Sequence, residues 1–404
     1  MSSDGVPGRP TLPTAADIVI IGGGIMGTST AFFLATETDL DVALLEKDTI
    51  ASGSTGDSSA ILRHHYGPQK RYSRMAWWSH EFYRAFEDRT GQRIARNENP
   101  LVRFAETGTE AAEYAQAGYE VLSELDIPAS RIEAPTFPPE YDMLDLDDYD
   151  FAISDDTAAY SDGSDAANGF AQAAAKAGAT VVTGTAVTDI HVTGGAVTGV
   201  ETDDGTVDCE AVVAAAGPWT PRVAEMVGIE VPITTSREQI IILDPPEEYA
   251  NKYENLIPTT AVPGGEWYMR PDFGGGILIA THHTGEEVDP DNYEQEPDES
   301  MLVEFTERIG EAMPELREAT VKGQYCGVYS TTPDHDFIID QVGPEGCYLA
   351  CGFSGHGFKH GPAVGRILTD LIRHGDTDLV DVEYFSLSRF DDHPDGHGKP
   401  GDLA

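Results

Sequence analysis

The pattern of hydrophobic positions is clearest near the start of the chain, where an apolar run, a glycine turn and an apolar helical stretch follow one another. These segments occupy residues 16–35, which read ADIVIIGGGIMGTSTAFFLA. A second apolar run, DVALLEKD, follows at 41–48. Short apolar runs bounded by turn residues are typical of buried strands, so the pattern predicts a strand, a helix and a second strand.

The rest of the chain alternates between helical and strand-like patterns. Helices are predicted at 71–91, near 108–124, at 164–179 with Ser164 as N-cap, and at 299–316, and strands within 179–217 and 231–283. Elements like those of the first segment recur at 160–230 and 330–390, with different material between them. At 404 residues the chain is too long for one ordinary core. The sequence therefore predicts an α/β (α+β) protein of two interleaved domains.

The glycine turn has the spacing of a dinucleotide-binding motif. Gly22, Gly24 and Gly27 form GxGxxG between the predicted strand and helix. The first glycine permits the tight turn, the second admits a pyrophosphate to the backbone, and the third lets the helix pack on the strand. The helix N-terminus attracts the phosphate, and Glu46 at the end of the second strand can accept ribose hydroxyls. This motif alone leaves NAD and FAD open.

Acidic residues outnumber basic residues along the whole chain. There are 70 Asp and Glu against 25 Lys and Arg, which gives a net charge of −45. This charge disfavours nucleic-acid binding, because a phosphate backbone would be repelled. The excess is not confined to one tail, so we interpret it as an adaptation to a cytoplasm of high salt. An ordinary acidic cytosolic protein is the alternative.

Location is predicted from what the sequence lacks. No apolar segment is long and uninterrupted enough to span a membrane, and the start has no signal-peptide pattern. We expect residues 1–16 to be a disordered leader and 391–404 a tail. The 4 cysteines lack the spacing of a metal site or a disulfide framework, which favours a reducing cytoplasm and no metal.

A second glycine-rich segment lies near the other end of the chain. Residues 351–361 read CGFSGHGFKHG and place Lys359 among four glycines. Glycine lets the backbone approach a ligand closely, and the lysine would bring a positive charge to it. The alternative is a solvated surface lysine, which the neighbouring phenylalanines disfavour.

Four segments together resemble the FAD-dependent D-amino-acid-oxidase superfamily, in its sarcosine oxidase and glycine oxidase branch. They are GGGIMG with Glu46, AVVAAAGPWT (211–220), YSTTPDHDFIID (329–340) and CGFSGHGFK (351–359). The resemblance covers about 17–390. It implies a Rossmann-like FAD-binding domain (17–90, 160–230 and 330–390) interleaved with an antiparallel-sheet substrate-binding domain (91–159 and 231–329).

The resemblance also implies a set of FAD-binding residues. FAD would lie extended, with its adenosine at the first motif and its ring near the second glycine loop. The residues expected to bind it are Gly22, Gly24, Gly27, Glu46, Ser54, Thr55, Val187, Gly217, Trp219, Gly352, Gly355, His356, Gly357, Phe358 and Lys359.

Four residues are expected to serve the substrate by the same resemblance. Arg63 and Lys359 would hold its carboxylate, since a planar donor fork and a compact cation can fix that group over the flavin. Tyr329 would face the ring, and His283 would accept the amine proton. An ion pair for Arg63, a half-buried strand tyrosine and an ordinary strand histidine are the alternatives.

Two departures from sarcosine oxidase qualify the resemblance. The cysteine that bonds to flavin there corresponds to Gly327, and Cys326 would face the other side of its strand, so we predict non-covalent FAD. The lysine that assists oxygen, counted back from His283, corresponds to Ile279. A dehydrogenase with another acceptor is therefore at least as well supported as an oxidase.

The predicted function is oxidation of the C–N bond of a small carboxylate-bearing amine, sarcosine-like or another secondary amine, by hydride transfer to flavin N5. Oxygen or a redox partner would accept the electrons. Three alternatives stay open: a D-amino-acid or proline-like dehydrogenase, the flavin-bearing subunit of a larger complex, and an NAD-dependent dehydrogenase. The last of these does not explain the second glycine loop.

Overall fold

The structure is a computed structural model that describes residues 11–249, 257–261, 267–282 and 285–398. Its strands are β1 Ile18–Ile21, β2 Val42–Glu46, β3 Ile61–Leu62, β4 Arg96–Glu98, β5 Leu101–Ala105, β6 Ala129–Glu133, β7 Phe151–Asp155, β8 Ala159–Ser161, β9 Thr180–Thr183, β10 Val187–Thr193, β11 Ala196–Thr202, β12 Gly205–Asp208, β13 Ala211–Ala214, β14 Thr234–Asp244, β15 Thr259–Ala261, β16 Trp267–Pro271, β17 Ile277–Thr281, β18 Thr320–Thr331, β19 Ile338–Val342 and β20 Cys347–Cys351. Its helices are α1 Ile25–Glu37, α2 Lys70–Arg84, α3 Phe86–Thr90, α4 Glu110–Glu124, α5 Gly163–Ala177, α6 Thr220–Glu225, α7 Glu299–Ala312, α8 Gly357–His374 and α9 Arg389–Asp392.

A six-stranded sheet forms the first layer, in the order β19-β20-β13-β1-β2-β9. All its pairs are parallel except β19 with β20. The fully buried apolar runs of β1 and β2 fit the centre of a parallel sheet, which is covered on both faces. Helix α1 packs against α5 and α8, and a Cβ at Gly365 of α8 would come within 2.8 Å of the backbone of Ser29.

An eight-stranded sheet forms the second layer, in the order β18-β14-β17-β16-β15-β5-β7-β6. All its pairs are antiparallel except β15 with β5. One face packs on α7 through a buried apolar cluster that includes Ile241, Ile279 and Phe305. The opposite face carries Tyr268, Glu238 and Tyr329 toward the first sheet.

The predicted elements are present, with local differences. The stretch 71–91 is two helices, α2 and α3, which meet at Ala85. The N-cap of α5 is Asp162, not Ser164, because the Asp162 carboxylate accepts a 2.8 Å hydrogen bond from the Asp165 N–H. No helix in the described part of the chain is long and apolar enough to cross a membrane.

The sheets draw on separated parts of the sequence. The six-stranded sheet takes its strands from 18–46, 180–214 and 338–351, and the eight-stranded sheet from 101–155 and 234–331. The fold is therefore mixed α/β with two sheet layers, and its chain passes repeatedly between them. The exact domain boundaries stay a prediction.

Candidate active site

A cleft of about 410 Å³ lies between the two sheets, a volume in the range of ligand pockets. The ends of β1, β2 and β13 form one wall, and strands β14, β16, β17 and β18 form the other. Ligands of open α/β sheets bind at the carboxyl ends of parallel strands, which is where this cleft begins.

The first glycine motif forms the narrow end of the cleft. Gly22 has φ of 115°, and a Cβ there would lie 2.5 Å from the carbonyl oxygen of Ala215. A Cβ at Gly27 would lie 2.0 Å from the carbonyl oxygen of Gly22, so the start of α1 rests directly on the turn. Only glycine fits either position, and the N-terminus of α1 is left facing the cleft.

Glu46 holds the same turn from the end of β2. Its carboxylate accepts hydrogen bonds from the Gly23 N–H at 2.6 Å and from the Asp48 N–H at 2.8 Å. Each carboxylate oxygen can accept more than one hydrogen bond, so Glu46 can still receive a ribose hydroxyl from the cleft. Its position in the cleft wall fits the adenosine half of FAD.

The loop after β2 provides hydroxyl groups to the cleft. Thr55 Oγ1 accepts a 3.1 Å hydrogen bond from the Ile25 N–H at the start of α1. Ser54 Oγ is buried in this wall and has no hydrogen-bond partner in the described chain. Buried hydroxyls are normally satisfied, so the orphaned group fits a site that is completed by a polar ligand such as a diphosphate.

Most of the predicted FAD-binding residues line this one cleft. They are Gly22, Gly24, Glu46, Ser54, Thr55, Val187, Gly217, Trp219, Gly355, Gly357 and Phe358. Four others lie outside the described cleft wall. Gly27 packs on Gly22, Gly352 packs on Thr332, and His356 and Lys359 lie beside Arg63.

The second glycine loop supports the tyrosine of β18. A Cβ at Gly355 would lie 2.5 Å from Cε2 of Tyr329, and Gly355 has φ of 79°. Tyr329 lines the cleft, and its hydroxyl is 3.4 Å from Nδ1 of His282. Burial raises the pKa of Tyr329 well above its usual value, so this group stays a neutral phenol. The predicted His283 lies outside the described residues.

Arg63 is buried next to the second glycine loop, with 6% of its surface exposed. Its guanidinium donates to the carbonyl oxygen of His65 at 2.8 Å and lies 3.2 Å from Nδ1 of His356. The ring of Tyr66 lies 4.5 Å below it. These contacts hold the guanidinium in one orientation.

Lys359, in the first turn of α8, is buried with 7% of its surface exposed. No hydrogen bond or ion pair joins it to another residue in the described ranges. Burial, followed by repulsion from Arg63, lowers the pKa of Lys359 well below its usual value. Two buried cations that repel each other favour the binding of an anion between them.

Two further residues of the cleft were not singled out in the sequence. Tyr268 of β16 lines the cleft and donates to Ser59 Oγ at 3.0 Å. Asp57 lines it as well, and burial raises the pKa of this carboxyl to about 6. The dense Gly-Ser loop at 51–59 was the available signal for Asp57, whereas Tyr268 required the register of the second sheet.

Known proteins match most of the length of this chain. Monomeric sarcosine oxidase of Bacillus sp. (strain NS-129) is 28% identical over 391 residues, covering 94% of this chain and 98% of that protein. The structure of L-proline dehydrogenase from P. horikoshii has a TM-score of 0.85 at 27% identity, covering 94% of this chain and 99% of that one. Glycine oxidase from Geobacillus kaustophilus shares the fold with a TM-score of 0.80 at 24% identity, covering 93% and 99%. Residues 17–371 match the DAO family of FAD dependent oxidoreductases, and the chain belongs to this family.

Proposed function

We propose that this FAD-dependent oxidoreductase oxidises the C–N bond of a small amino acid, a sarcosine-like N-methyl amine or another secondary amine. The observation that carries the proposal is the buried pair Arg63 and Lys359, beside a cleft that fits FAD. Bound FAD supplies the acceptor for the hydride that leaves the substrate carbon. The protein residues bind and orient the amine and take up its proton.

The two cations account for recognition of the carboxylate. A guanidinium forms paired hydrogen bonds with a carboxylate, and a buried ammonium adds a charge-assisted bond. Because Tyr66 and His65 fix the Arg63 fork, the carboxylate would be held in one orientation. Orientation of this kind places the adjacent C–H for transfer.

Proton uptake is proposed for the imidazole next to Tyr329. Only the free amine gives up hydride readily, so the substrate ammonium has to lose a proton first. The ring of His282 lies 5.5 Å from that of His356, which contacts Arg63. His282 is therefore adjacent to the proposed carboxylate position and is the described member of the pair His282-His283.

The test is an anaerobic titration of the purified holoprotein with sarcosine, dimethylglycine, proline and D-alanine. We expect the visible flavin absorbance to bleach with at least one secondary or tertiary amine. Methylamine, which has no carboxylate, is the control and should leave the flavin oxidised. Oxidised flavin after prolonged incubation with all four amino acids would contradict the proposal.

A dehydrogenase with an acceptor other than oxygen is the favoured variant of this function. The position that corresponds to the oxygen-assisting lysine of sarcosine oxidase is Ile279, which lies on the α7 side of β17. Its neighbours Leu278 and Ala280 lie on the cleft side, and they are apolar as well. The cation opposite Leu278 is Arg270, which donates to the carbonyl oxygens of Ser59 and Pro271. Charge on reduced oxygen would lack a dedicated partner here. Fast peroxide release when air is readmitted would contradict this variant.

FAD is expected to be bound without a covalent bond. Gly327 lines the cleft, and a Cβ there would be 3.0 Å from Cβ of Asp57. The thiol of Cys326 accepts a 3.5 Å hydrogen bond from Arg237 Nε on the other side of the strand. After precipitation with trichloroacetic acid, the flavin should remain in the supernatant. A yellow pellet would show that this prediction is wrong.

Ligand affinity is expected to depend on pH through Lys359. Burial lowers the pKa of this ammonium, so it loses its proton at a lower pH than a free lysine does. An anion binds the protonated form better, so the affinity for methoxyacetate should fall by up to about tenfold per pH unit above the lowered pKa. The measurement is the flavin spectral shift during titration. In Lys359→Met this dependence on pH should disappear. If the variant kept the pH profile of the wild type, Lys359 would not be the group that binds the anion.

The acidic composition supports a proposal about the environment. We infer that the protein works in a cytoplasm of high salt, where its net charge of −45 is screened. Unfolding should occur on dialysis to low salt and reverse when potassium chloride is restored. Retention of the full flavin content and cooperative melting in dilute buffer would contradict it.

A further inference from the structure

A further cation, Arg103, is half-buried close to the proposed carboxylate site and has no role in the function described so far. It is the central residue of β5. No ion pair or hydrogen bond of Arg103 exists within the described ranges, and its Nε is buried without a partner. An N–H group that is buried without a partner is costly, because it loses its hydrogen bond to water.

The strand register puts Arg103 on the cleft-facing side of the eight-stranded sheet. Tyr268 of β16 pairs with Ala261 of β15. Thr259 lies two residues before Ala261 on β15 and pairs with Leu101 of β5. Side chains alternate along a strand, so Leu101 and Arg103 share the face of Tyr268. Arg103 is therefore directed toward the site and away from the core under α7.

The surroundings of Arg103 leave its charge uncompensated. The ring of Tyr114, on α4, lies 5.2 Å from the guanidinium carbon, and the Tyr114 hydroxyl is buried without a hydrogen-bond partner. Asp155 is the acid that acts on Arg103, but both of its oxygens accept hydrogen bonds from His64, at 2.6 and 2.9 Å. Burial and repulsion from Arg63 lower the pKa of Arg103 to about 10.

We propose that Arg103 and the Tyr114 hydroxyl form a subsite for a second carboxylate, so that the preferred substrate is a dicarboxylic amino acid. This inference rests on the proposed carboxylate site at Arg63 and Lys359. One carboxylate there leaves Arg103 unsatisfied, whereas a second one would accept hydrogen bonds from both unpartnered donors. The alternative is that Arg103 only packs against Tyr114 as a cation on an aromatic ring.

The test uses unreactive ethers in place of amines, so that binding is separated from oxidation. Methoxyacetate and diglycolate differ only in the second carboxylate, as do 2-methoxypropanoate and 2-methoxysuccinate. Each is titrated into the holoprotein at one fixed potassium chloride concentration, with the flavin spectral shift as the readout. The wild-type protein should bind at least one dicarboxylate about 10- to 100-fold more tightly than its partner, as expected for a charged hydrogen-bonded pair.

Substitution at the subsite should remove this preference. In Arg103→Gln the ratio of the two affinities should fall to near one, and Tyr114→Phe should lower it by a smaller factor. Arg131→Gln is the matched control, because Arg103 and Arg131 flank the same residue, Ile153, from the two neighbouring strands. Arg131 pairs with Glu133, and its substitution should leave the ratio unchanged.

Two results would overturn the inference. One is a wild-type protein that binds neither dicarboxylate more tightly than its partner, and the other is a preference that persists in Arg103→Gln. Flavin content and melting temperature identify a misfolded variant, in which case Tyr114→Phe decides the outcome. A ligand preference without flavin reduction by any amine would refute the proposed oxidation while leaving the subsite standing.

Discussion

Arg63→Met is expected to lower kcat/KM for the amine substrate by about 10²- to 10⁴-fold, since each lost hydrogen bond to a charged group costs about 1.5–3 kcal/mol. The substitution keeps a similar apolar volume but removes the donor fork that Tyr66 and His65 hold in place. Without it, the carboxylate would contact Lys359 alone and could rotate about that single contact. Both the affinity for the amine and the rate of flavin reduction should therefore decrease.

The design separates this role from a structural one. Arg63→Lys keeps the charge but not the fork, so it should recover only part of the loss. Arg74→Met, on the exposed side of α2, is the control and should behave like the wild type. The measurement is the rate of anaerobic flavin reduction at several amine concentrations, with flavin content recorded for each variant. An Arg63→Met protein with full flavin content and wild-type reduction kinetics would contradict the assignment.

Gly27→Ala is expected to abolish FAD binding and to lower stability by about 3 kcal/mol or more, the upper range for overpacking. Its Cβ would lie 2.0 Å from the carbonyl oxygen of Gly22. Neither atom can move freely, because the Gly22 N–H donates a hydrogen bond to the carbonyl oxygen of Leu45 and α1 is packed against α5 and α8. The helix would have to shift away from the turn that holds the pyrophosphate.

The loss of FAD should be visible in the colour of the protein and in its melting temperature. Purified Gly27→Ala should be colourless, and its melting temperature should not rise on addition of FAD, whereas a bound ligand stabilises the folded wild type. Gly323→Ala is a suitable control, because a Cβ there would make only ordinary contacts of 3.6 and 3.9 Å with Ile242. A yellow Gly27→Ala protein with wild-type stability would show that the tight packing at this turn is not required for FAD binding or for stability.

The nucleotide end of the site can be predicted from the sequence alone. The features involved are local: the glycines of the first motif, the apolar runs on either side and Glu46 at the end of β2. Such features report directly on backbone approach and strand burial, so they predict a dinucleotide-binding strand, turn and helix without tertiary information. FAD itself was implied only by the resemblance of four separate segments to a known family. The glycines of the second loop likewise indicated close packing, and Gly355 does lie against Tyr329.

Which side chains share a face of a sheet cannot be predicted from the sequence and becomes clear from the strand pairing. Counting along the sequence led to Ile279, yet that residue points into the core under α7, and its neighbours Leu278 and Ala280 face the cleft. Nothing in the sequence pattern singles out Arg103, and only the strand register places it on the same face of the sheet as Tyr268. The reason is that a one-residue change in register moves a side chain to the other face of a sheet, and register is set by pairing between distant segments.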